Sequence, residues 1–318
     1  MTMYMAEGAY HHPEGRITNA DLAEMVDTTD EWIQKHTGIS ERRRADDGQD
    51  TSDLAVIATR AALSRAGWEP NDIDLLVCAT STPDSLTPAT ASYIAGELAM
   101  RALAFDVNAS CSGFIYGLAV SDGLMLTQGH TRVALCTAEK YTKVTDYGDR
   151  SSCIFFGDSA ATVLLQSERP ARGAEVVDVR MRNINEGAHL VGTPVGGHLA
   201  MDGPGLKRIA LPALVDSARD MLAAHDLGVG DLRAFMGHQV NYRLLEAVTE
   251  TLGISEEQHW YNVRDKGNQG AAGVVTTLLG GIEKHRSTLR DGDLFLLTVV
   301  GAGFTNGSVL LRWIDSAA

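Results

Sequence analysis

The sequence predicts an α/β protein made of two similar halves. Three observations carry that prediction. Short apolar runs of strand length alternate with longer stretches of helical period. The order of these runs nearly repeats itself half a chain later. And 318 residues with 44% hydrophobic and 21% charged content suit a large globular core. Alternation in both halves implies α/β layers whose mixed sheets are covered on both faces. In such sheets the ligand crevice opens beyond the C-terminal ends of the strands.

Taken in order, Thr18-Asn19-Ala20-Asp21 opens a short helix with a cap and an acidic first turn. Thr28-Thr29-Asp30 caps a second helix, which carries a half-exposed Trp32 and stops at Gly38. Ser40 to Asp50, with Glu41-Arg42-Arg43-Arg44, reads as a solvated loop. Thr51-Ser52-Asp53 caps a helix to Ala66-Gly67, and Trp68 to Asp72 leads into a strand over Ile73 to Thr80. Ala102 to Val107 is a short apolar run and reads as a buried strand. Phe114, Leu118 and Leu124-Met125 recur at helical spacing over Cys111 to Thr127, and Arg132 to Thr137 is a further strand.

The second half keeps that order. A helix over Leu211 to Ala224 and the strand Leu232 to Gly237 match the helix and strand around Trp68 to Asp72. A strand over Trp260 to Val263 and a helix from Gly270 to Lys284 match the pair around Cys111. Leu294 to Val300 matches Arg132 to Thr137, and each half ends alike, Phe156-Gly157-Asp158 to Leu165 against Gly303-Phe304-Thr305 to Leu311. Four segments in register indicate duplication. A boundary at Glu168-Arg169-Pro170 gives halves of residues 1–168 and 169–318 that share one core.

A net charge of −14 argues against nucleic acid as a partner, and any basic docking patch must be local. Four cysteines without framework spacing point to a reducing cytoplasm. No signal peptide is expected at Met1 to Gly15, and the apolar run Leu294 to Val300 is far short of a membrane span.

Cys78, Cys136 and Cys153 lie in or beside apolar strand-like runs and read as core residues. Cys111 stands at a strand-to-helix junction, where an N-cap or N1 residue falls. Free amides and the positive end of the helix dipole favour a thiolate there by roughly 0.3–2 kcal/mol and lower its pKa. The small residues Ala109, Ser110, Ser112 and Gly113 leave room for an acyl group. His238 follows a strand and begins His238-Gln239-Val240-Asn241-Tyr242-Arg243; Asn268 lies in Lys266-Gly267-Asn268-Gln269-Gly270. Gly301-Ala302-Gly303 follows another strand and can present backbone amides to an oxyanion. Singly these are a core histidine, a loop asparagine and a hairpin turn. Together, each beyond an expected strand, they suit one crevice.

In these motifs the chain resembles the β-ketoacyl-acyl-carrier-protein synthase III group of the thiolase superfamily, essentially end to end. The resemblance rests on Asp30-Glu31-Trp32-Ile33 with Thr37-Gly38-Ile39, Cys111-Ser112-Gly113-Phe114, Asp149-Arg150, Phe156-Gly157-Asp158, Met201-Asp202-Gly203, His238 to Arg243, Gly267-Asn268 and Gly303-Phe304-Thr305. It implies a homodimer of thiolase-like, five-layered αβαβα subunits and a catalytic Cys111-His238-Asn268 triad. It implies an oxyanion hole from the amides of Cys111, Ala302 and Gly303. Trp32 and Arg150 would sandwich the adenine of coenzyme A, and Gly203 and Asn241 would line the pantetheine tunnel. Gln239, Arg243 and Arg208, with Lys207, would receive the acyl carrier protein. No metal or other cofactor is implied beyond the thioester substrates.

The implied reaction is a decarboxylative condensation of an acyl-CoA primer with malonyl-acyl carrier protein through acyl-Cys111, giving a 3-oxoacyl product. Chemistry fits those roles: a thiolate attacks the thioester, amides hold the oxyanion, and His238 and Asn268 donate to the enolate left by loss of CO2. The C-terminal turn offers only Thr305 and Asn306 where a degradative thiolase would carry a second cysteine. Departures from the family pattern are His36, Val300, Asn108-Ala109-Ser110 and Gln269-Gly270; Leu86, Thr87 and Tyr93 fall in the stretch that reaches across the dimer in relatives. These suggest an unusual primer or a specialised pathway. The rival expectations are a non-elongating acyltransferase moving the acyl group from Cys111 to an alcohol or amine, and a silent partner-binding subunit.

Overall fold

The computed structural model of the chain describes residues 2–316. Its first half runs β1 (Tyr4–His11), β2 (Gly15–Thr18), α1 (Asn19–Met25), α2 (Asp30–Thr37), β3 (Glu41–Arg44), α3 (Thr51–Ala66), β4 (Leu75–Ala79), α4 (Thr90–Glu97), β5 (Leu103–Val107), α5 (Gly113–Gln128), β6 (Arg132–Glu139), α6 (Arg150–Cys153) and β7 (Ser159–Gln166). The second runs β8 (Arg172–Asn183), β9 (Val191–Gly192), β10 (Ala200–Met201), α7 (Gly203–Ala224), β11 (Leu232–Gly237), α8 (Tyr242–Leu252), α9 (Val263–Lys266), α10 (Ala271–His285), β12 (Leu294–Gly301) and β13 (Thr305–Asp315).

Local chemistry sets the helix ends. Thr18 and Asp21 close a capping box on α1, and Thr29 accepts from the Trp32 amide at 3.1 Å to start α2, which Gly38 ends at φ 70°. The cap of α3 is Asp50, one residue ahead of the expected Thr51, because its carboxylate reaches the Thr51 amide at 2.8 Å while Asp53 reaches back to Asp50. Helix α7 starts at Gly203, earlier than expected, with Asp202 as its cap; Pro212 lies within it.

Nine of the strands form one sheet in the order β11-β12-β13-β8-β1-β7-β6-β4-β5, and β2 with β3 and β9 with β10 form two small separate pairs. In each half two parallel strands meet an antiparallel third: β4 with β6 and then β7, β11 with β12 and then β13. The turns leading into β4 and β11 are alike too, Asp72 accepting from the Glu69 amide at 2.9 Å and Asp231 from the Gly228 amide at 2.7 Å.

Helices divide this sheet into five layers. α3 and α4 cover the first-half strands from outside, α5 and α10 lie between the two sets of strands, and α7 covers β12 and β13, with α8 packed on α7. Three apolar clusters fill the gaps: one under α3 around Leu54, Leu76 and Ile94, one around α5 and α10 with Phe114, Val274 and Phe295, and one under α7 with Leu214, Phe235 and Leu310. Each fully buried large side chain contributes roughly 1.5–3 kcal/mol. The middle cluster draws on residues from both parts of the chain, Phe114 and Val133 from one and Val274 and Phe295 from the other.

Several local expectations fail. Glu41–Arg44 is not a solvated loop but a strand paired with β2, and Arg42 is wholly buried. Its guanidinium donates to the Ile154 carbonyl and the Asn19 side-chain oxygen, which is how a charge survives there. β5 is an edge strand, and Leu103 is 52% exposed. Trp260 to Val263 is no strand; its residues serve a single bridge at His259 and the start of α9. No helix among the described residues is long and apolar enough to cross a membrane.

Candidate active site

Three turns meet at the first turn of α10. The nucleophile turn comes first: after β5, Ser110–Ser112 form a 3-10 turn, and α5 begins only at Gly113. Cys111 thus precedes the N-cap Ser112 rather than occupying the cap or N1. Ser110 sits at φ 50°, a conformation uncommon outside glycine and asparagine, and its amide donates to the Asn108 side-chain oxygen at 3.1 Å. That strained turn presents the sulfur.

The residue is 8% exposed. Burial, then the nearby Glu139 charge, pushes the Cys111 thiol up to about 12, against the pull of hydrogen bonds from Ser110 and Tyr141. The sequence expectation of a lowered pKa is therefore reversed: desolvation outweighs the dipole of a helix that starts two residues later. A proton acceptor must accompany attack by this sulfur.

His238 follows Gly237 at the end of β11, as expected, and is 4% exposed. Burial lowers its pKa to about 4, so the ring is neutral at pH 7, and its Nδ1 is buried without a partner. A neutral imidazole donates one N–H without acting as a strong acid.

Asn268 follows α9 rather than a strand. Its amide donates to the Phe155 carbonyl at 2.7 Å and its carbonyl accepts from Gly157 at 3.0 Å, so its backbone is pinned from the first half. The Gly270 amide donates to Asn268 Oδ1 at 3.0 Å. Since a backbone N–H requires an acceptor, the oxygen is fixed there and the Nδ2 hydrogens are left to donate elsewhere.

Close approach shows how these turns converge. A Cβ on Gly113 would lie 3.2 Å from Ala271 Cβ, and one on Gly273 would lie 3.1 Å from Gln239 Cβ. One on Gly270 would lie 2.8 Å from the Tyr141 hydroxyl and 3.0 Å from Glu139 Cγ. The turn between β12 and β13 closes on the nucleophile turn: Thr305 Oγ1 donates to Ser112 Oγ at 3.0 Å, and a Cβ on Gly301 would lie 2.9 Å from the Ser112 amide. Ala302 and Gly303 are the next two residues of that turn.

Gln269, which departs from the family pattern, has a structural account. Its amide donates to Asn262 Oδ1 at 2.9 Å and accepts from Thr276 Oγ1 at 3.0 Å, while the Asn262 amide donates to Gln239 Oε1 at 3.0 Å. This buried amide chain ties the His238 segment to the Asn268 segment. It also corrects Gln239: fully buried and spent on Gly237, Asn262 and Val263, it cannot reach a docked protein.

The rim is assembled less fully. Arg150 stands over the Trp32 ring at 5.0 Å, with His36 stacked on the same indole at 4.2 Å. Trp32 and Arg150 are together, and Arg150 also donates to the Asp27 carbonyl at 2.7 Å. Gly203 opens α7, and Asn241 caps α8 by accepting from the Leu244 amide at 2.8 Å. Arg243 is occupied by the Lys35 carbonyl and Glu246. Arg208 and Lys207 are exposed on α7 and make no ion pair among the described residues.

Two buried polar groups escaped sequence reasoning. Glu139 is wholly buried at the end of β6; burial pushes its carboxyl up to about 7 although Thr82 and Ser81 donate to it. Tyr141 packs on Phe156 at 4.7 Å, in an apolar cluster with Leu199. Glu139-Lys140 ends an apolar run and looks like a solvated strand end, so no pattern marked it. Among the described residues no group of three His, Cys, Asp or Glu side chains could hold a metal.

Comparison with known proteins converges on one family. The family model for 3-oxoacyl-[acyl-carrier-protein] synthase III matches residues 105–184, and that for its C-terminal part matches residues 222–313. The chain is 37% identical, over 97% of its length and 98% of the relative's, to beta-ketoacyl-[acyl-carrier-protein] synthase III of Cereibacter sphaeroides. It is 38% identical to the Bradyrhizobium diazoefficiens protein of that name, over 95% of both chains. Among solved structures, 3-oxoacyl-[acyl-carrier-protein] synthase III of Aquifex aeolicus superposes with a TM-score of 0.92 at 32% identity, covering 98% of this chain and 99% of that one. The priming β-ketosynthase of a polyketide biosynthetic pathway gives 0.89 at 30% identity, covering 99% and 97%.

Proposed function

The chain belongs to the 3-oxoacyl-[acyl-carrier-protein] synthase III family, and from that premise we propose that it condenses an acyl-CoA primer with malonyl-acyl carrier protein to give a 3-oxoacyl-acyl carrier protein. The observation that carries this is the meeting, at the first turn of α10, of a turn bearing Cys111 with segments bearing a neutral His238 and an Asn268 whose Nδ2 is left to donate.

In this reading Cys111 Sγ attacks the acyl thioester carbon, amides of Cys111, Ala302 and Gly303 hold the oxyanion, and coenzyme A leaves. Each such donor is worth about 2.7–4 kcal/mol. The malonyl thioester then loses CO2, and its enolate oxygen takes hydrogen bonds from His238 and Asn268. Neither donor is acidic enough to quench the carbanion before it attacks acyl-Cys111. The first half, residues 1–168, supplies the sulfur; the second, residues 169–318, supplies the imidazole and the carboxamide.

Trp32 with Arg150, and Asn241 with Gly203, would hold coenzyme A, and Arg208 with Lys207 would meet the carrier protein. Arg243 would join them only by releasing Glu246. A second copy of the chain would cover the exposed edge of β5, Leu86 in the loop before α4, 77% exposed, and Tyr93 on α4, 42% exposed. Four unpaired cysteines suit a cytoplasmic setting.

Intact-protein mass spectrometry tests the proposal. A panel of acyl-CoAs should add an acyl mass to Cys111, and malonyl-acyl carrier protein should discharge it as a 3-oxoacyl product. Cys111→Ala should take up no acyl group. Discharge only to a hydroxyl or amine acceptor would replace condensation with plain acyl transfer.

A further inference from the structure

A cysteine that takes up and gives back an acyl group carries charge twice. Its sulfur is a thiolate when it attacks and again when condensation expels it, and Cys111 sits where burial makes that charge costly. The residue just before it supplies a donor. Ser110 Oγ donates to Cys111 Sγ at 3.9 Å, and among the described residues that hydroxyl has no other acceptor. A thiol sulfur accepts weakly and a thiolate accepts as an ion does, so the contact strengthens as the proton leaves.

Hydrogen bonds on either side hold the hydroxyl there. Ser110 stands at φ 50° with its amide on the Asn108 side-chain oxygen at 3.1 Å. The Ala109 carbonyl accepts from the Ser112 amide at 3.1 Å and from Thr305 Oγ1 at 3.4 Å. Asn108-Ala109-Ser110 is also one of the segments that depart from the family pattern.

We propose that Ser110 is a catalytic residue, its hydroxyl stabilising the Cys111 thiolate when it attacks the acyl donor and when it is released. This role rests on the acyl-loading reading above and deepens it. The thiol gives its proton to solvent, and Ser110 keeps its own throughout. A sulfur lone pair forms the bond to the thioester carbon, and the carbonyl π pair moves to the oxygen held by backbone amides. Collapse of that oxyanion breaks the bond to the coenzyme A sulfur, which leaves as a thiolate and takes a proton from solvent. In the condensation the carbanion pair forms the new C–C bond, and the C–S bond breaks with its electrons returning to Cys111 Sγ beside the same hydroxyl.

The groups facing the sulfur pull in both directions. Burial first, then the Glu139 carboxylate at the end of β6, works against the thiolate; Ser110 leads the donors that work for it, ahead of Tyr141 and the Cys111 amide.

The test is alkylation of Cys111 by iodoacetamide from pH 7 to 9, followed by intact mass, beside loading by the panel of acyl-CoAs. It is run on wild type, Ser110→Ala and Ser110→Gly, with Cys111→Ala as the blank, since the other three cysteines are at most 1% exposed. Alkylation reads the thiolate whether or not the chain is a synthase. Loss of the hydroxyl should slow alkylation and loading alike by about 10-fold at each pH, equally in both variants. Glycine is at ease at φ 50° and alanine is strained, so the pair separates the hydroxyl from the backbone. Alkylation within about twofold of wild type in both variants overturns the role of Ser110 and leaves condensation standing. Slow alkylation in Ser110→Ala with the wild-type rate in Ser110→Gly also overturns it, because Ser110 would then serve only the shape of the turn. A wild type that is alkylated but takes an acyl group from none of the panel overturns the proposed function, and the part of Ser110 in it.

Discussion

The two helices of the middle layer, α5 and α10, are preceded by turns that do opposite jobs and are braced in opposite directions. The turn before α5 carries Cys111 and is held from the second half, by Thr305 on Ser112 and by Gly301 packed against the Ser112 amide. The turn before α10 carries Asn268 and is held from the first half, by Phe155 and Gly157 on its backbone and by Glu139, which accepts from the Ala271 amide. Each half therefore positions the other's reactive group. Neither turn has a complete set of partners within its own half, so the site assembles only when the shared core does.

The sharpest way to break this arrangement is at Gly270, where φ is 55° and a methyl would lie 2.5 Å from Tyr141 Cε2. Gly270→Ala adds backbone strain to overlap with a buried ring, and should cost about 3 kcal/mol or more of stability. Chemical denaturation reads the loss, and condensation should fall with it. An unchanged midpoint would mean the two turns are not locked together.

Asn268→Ala keeps that packing and removes one donor. It should spare acyl loading and slow decarboxylative condensation about 100- to 1000-fold. Single-turnover loading measured beside overall turnover separates the two steps. Equal loss in both would mean that the second-half turn serves the nucleophile as well.

This division of labour was only partly legible in the sequence. Cys111, His238 and Asn268 stood out because each sits in a run of small or polar residues that breaks an apolar period, and the duplication showed as register between the halves. What a period cannot report is which face of a charged run turns inward. Arg42, in Glu41-Arg42-Arg43-Arg44, and Glu139, beside Lys140, are wholly buried, yet both sit in charged company. Nor does an apolar run say whether a strand is central or at an edge, which is why β5 looked buried. The Cys111 pKa was misjudged because a dipole can be read from a helix start, whereas desolvation is a tertiary property.

Titration probes the first-half brace directly. The Glu139 carboxyl moves from an ordinary 4.5 to about 7, so between those values the folded protein holds more protons than the unfolded chain, and stability falls as pH rises. His238 has the opposite sign: lowered from 6.5 to about 4, it adds stability as pH rises across that interval, and His259 acts likewise. Glu139→Gln removes only the falling contribution. Relative to wild type it should gain about 3 kcal/mol between pH 4.5 and pH 8, measured by urea unfolding at each pH. A constant difference would mean that the carboxyl is not desolvated by the turn it braces.

The smallest expected effect lies on the other brace. Thr305→Val keeps the side-chain volume and deletes the hydrogen bond to Ser112 Oγ at 3.0 Å and the longer one to the Ala109 carbonyl at 3.4 Å. Ser112 is fully buried, but its Oγ still donates to the Thr305 carbonyl at 3.4 Å and so keeps a partner, and the cost should be about 0.5–1.5 kcal/mol. Thermal unfolding should fall by a few degrees, roughly 2–4 °C. Loading of Cys111 should slow by less than tenfold, since Ser110 and Gly301 still shape the turn. A loading defect as large as the condensation defect of Asn268→Ala would place Thr305 in the chemistry of the sulfur itself, and the symmetry between the two braces would fail on the nucleophile's side.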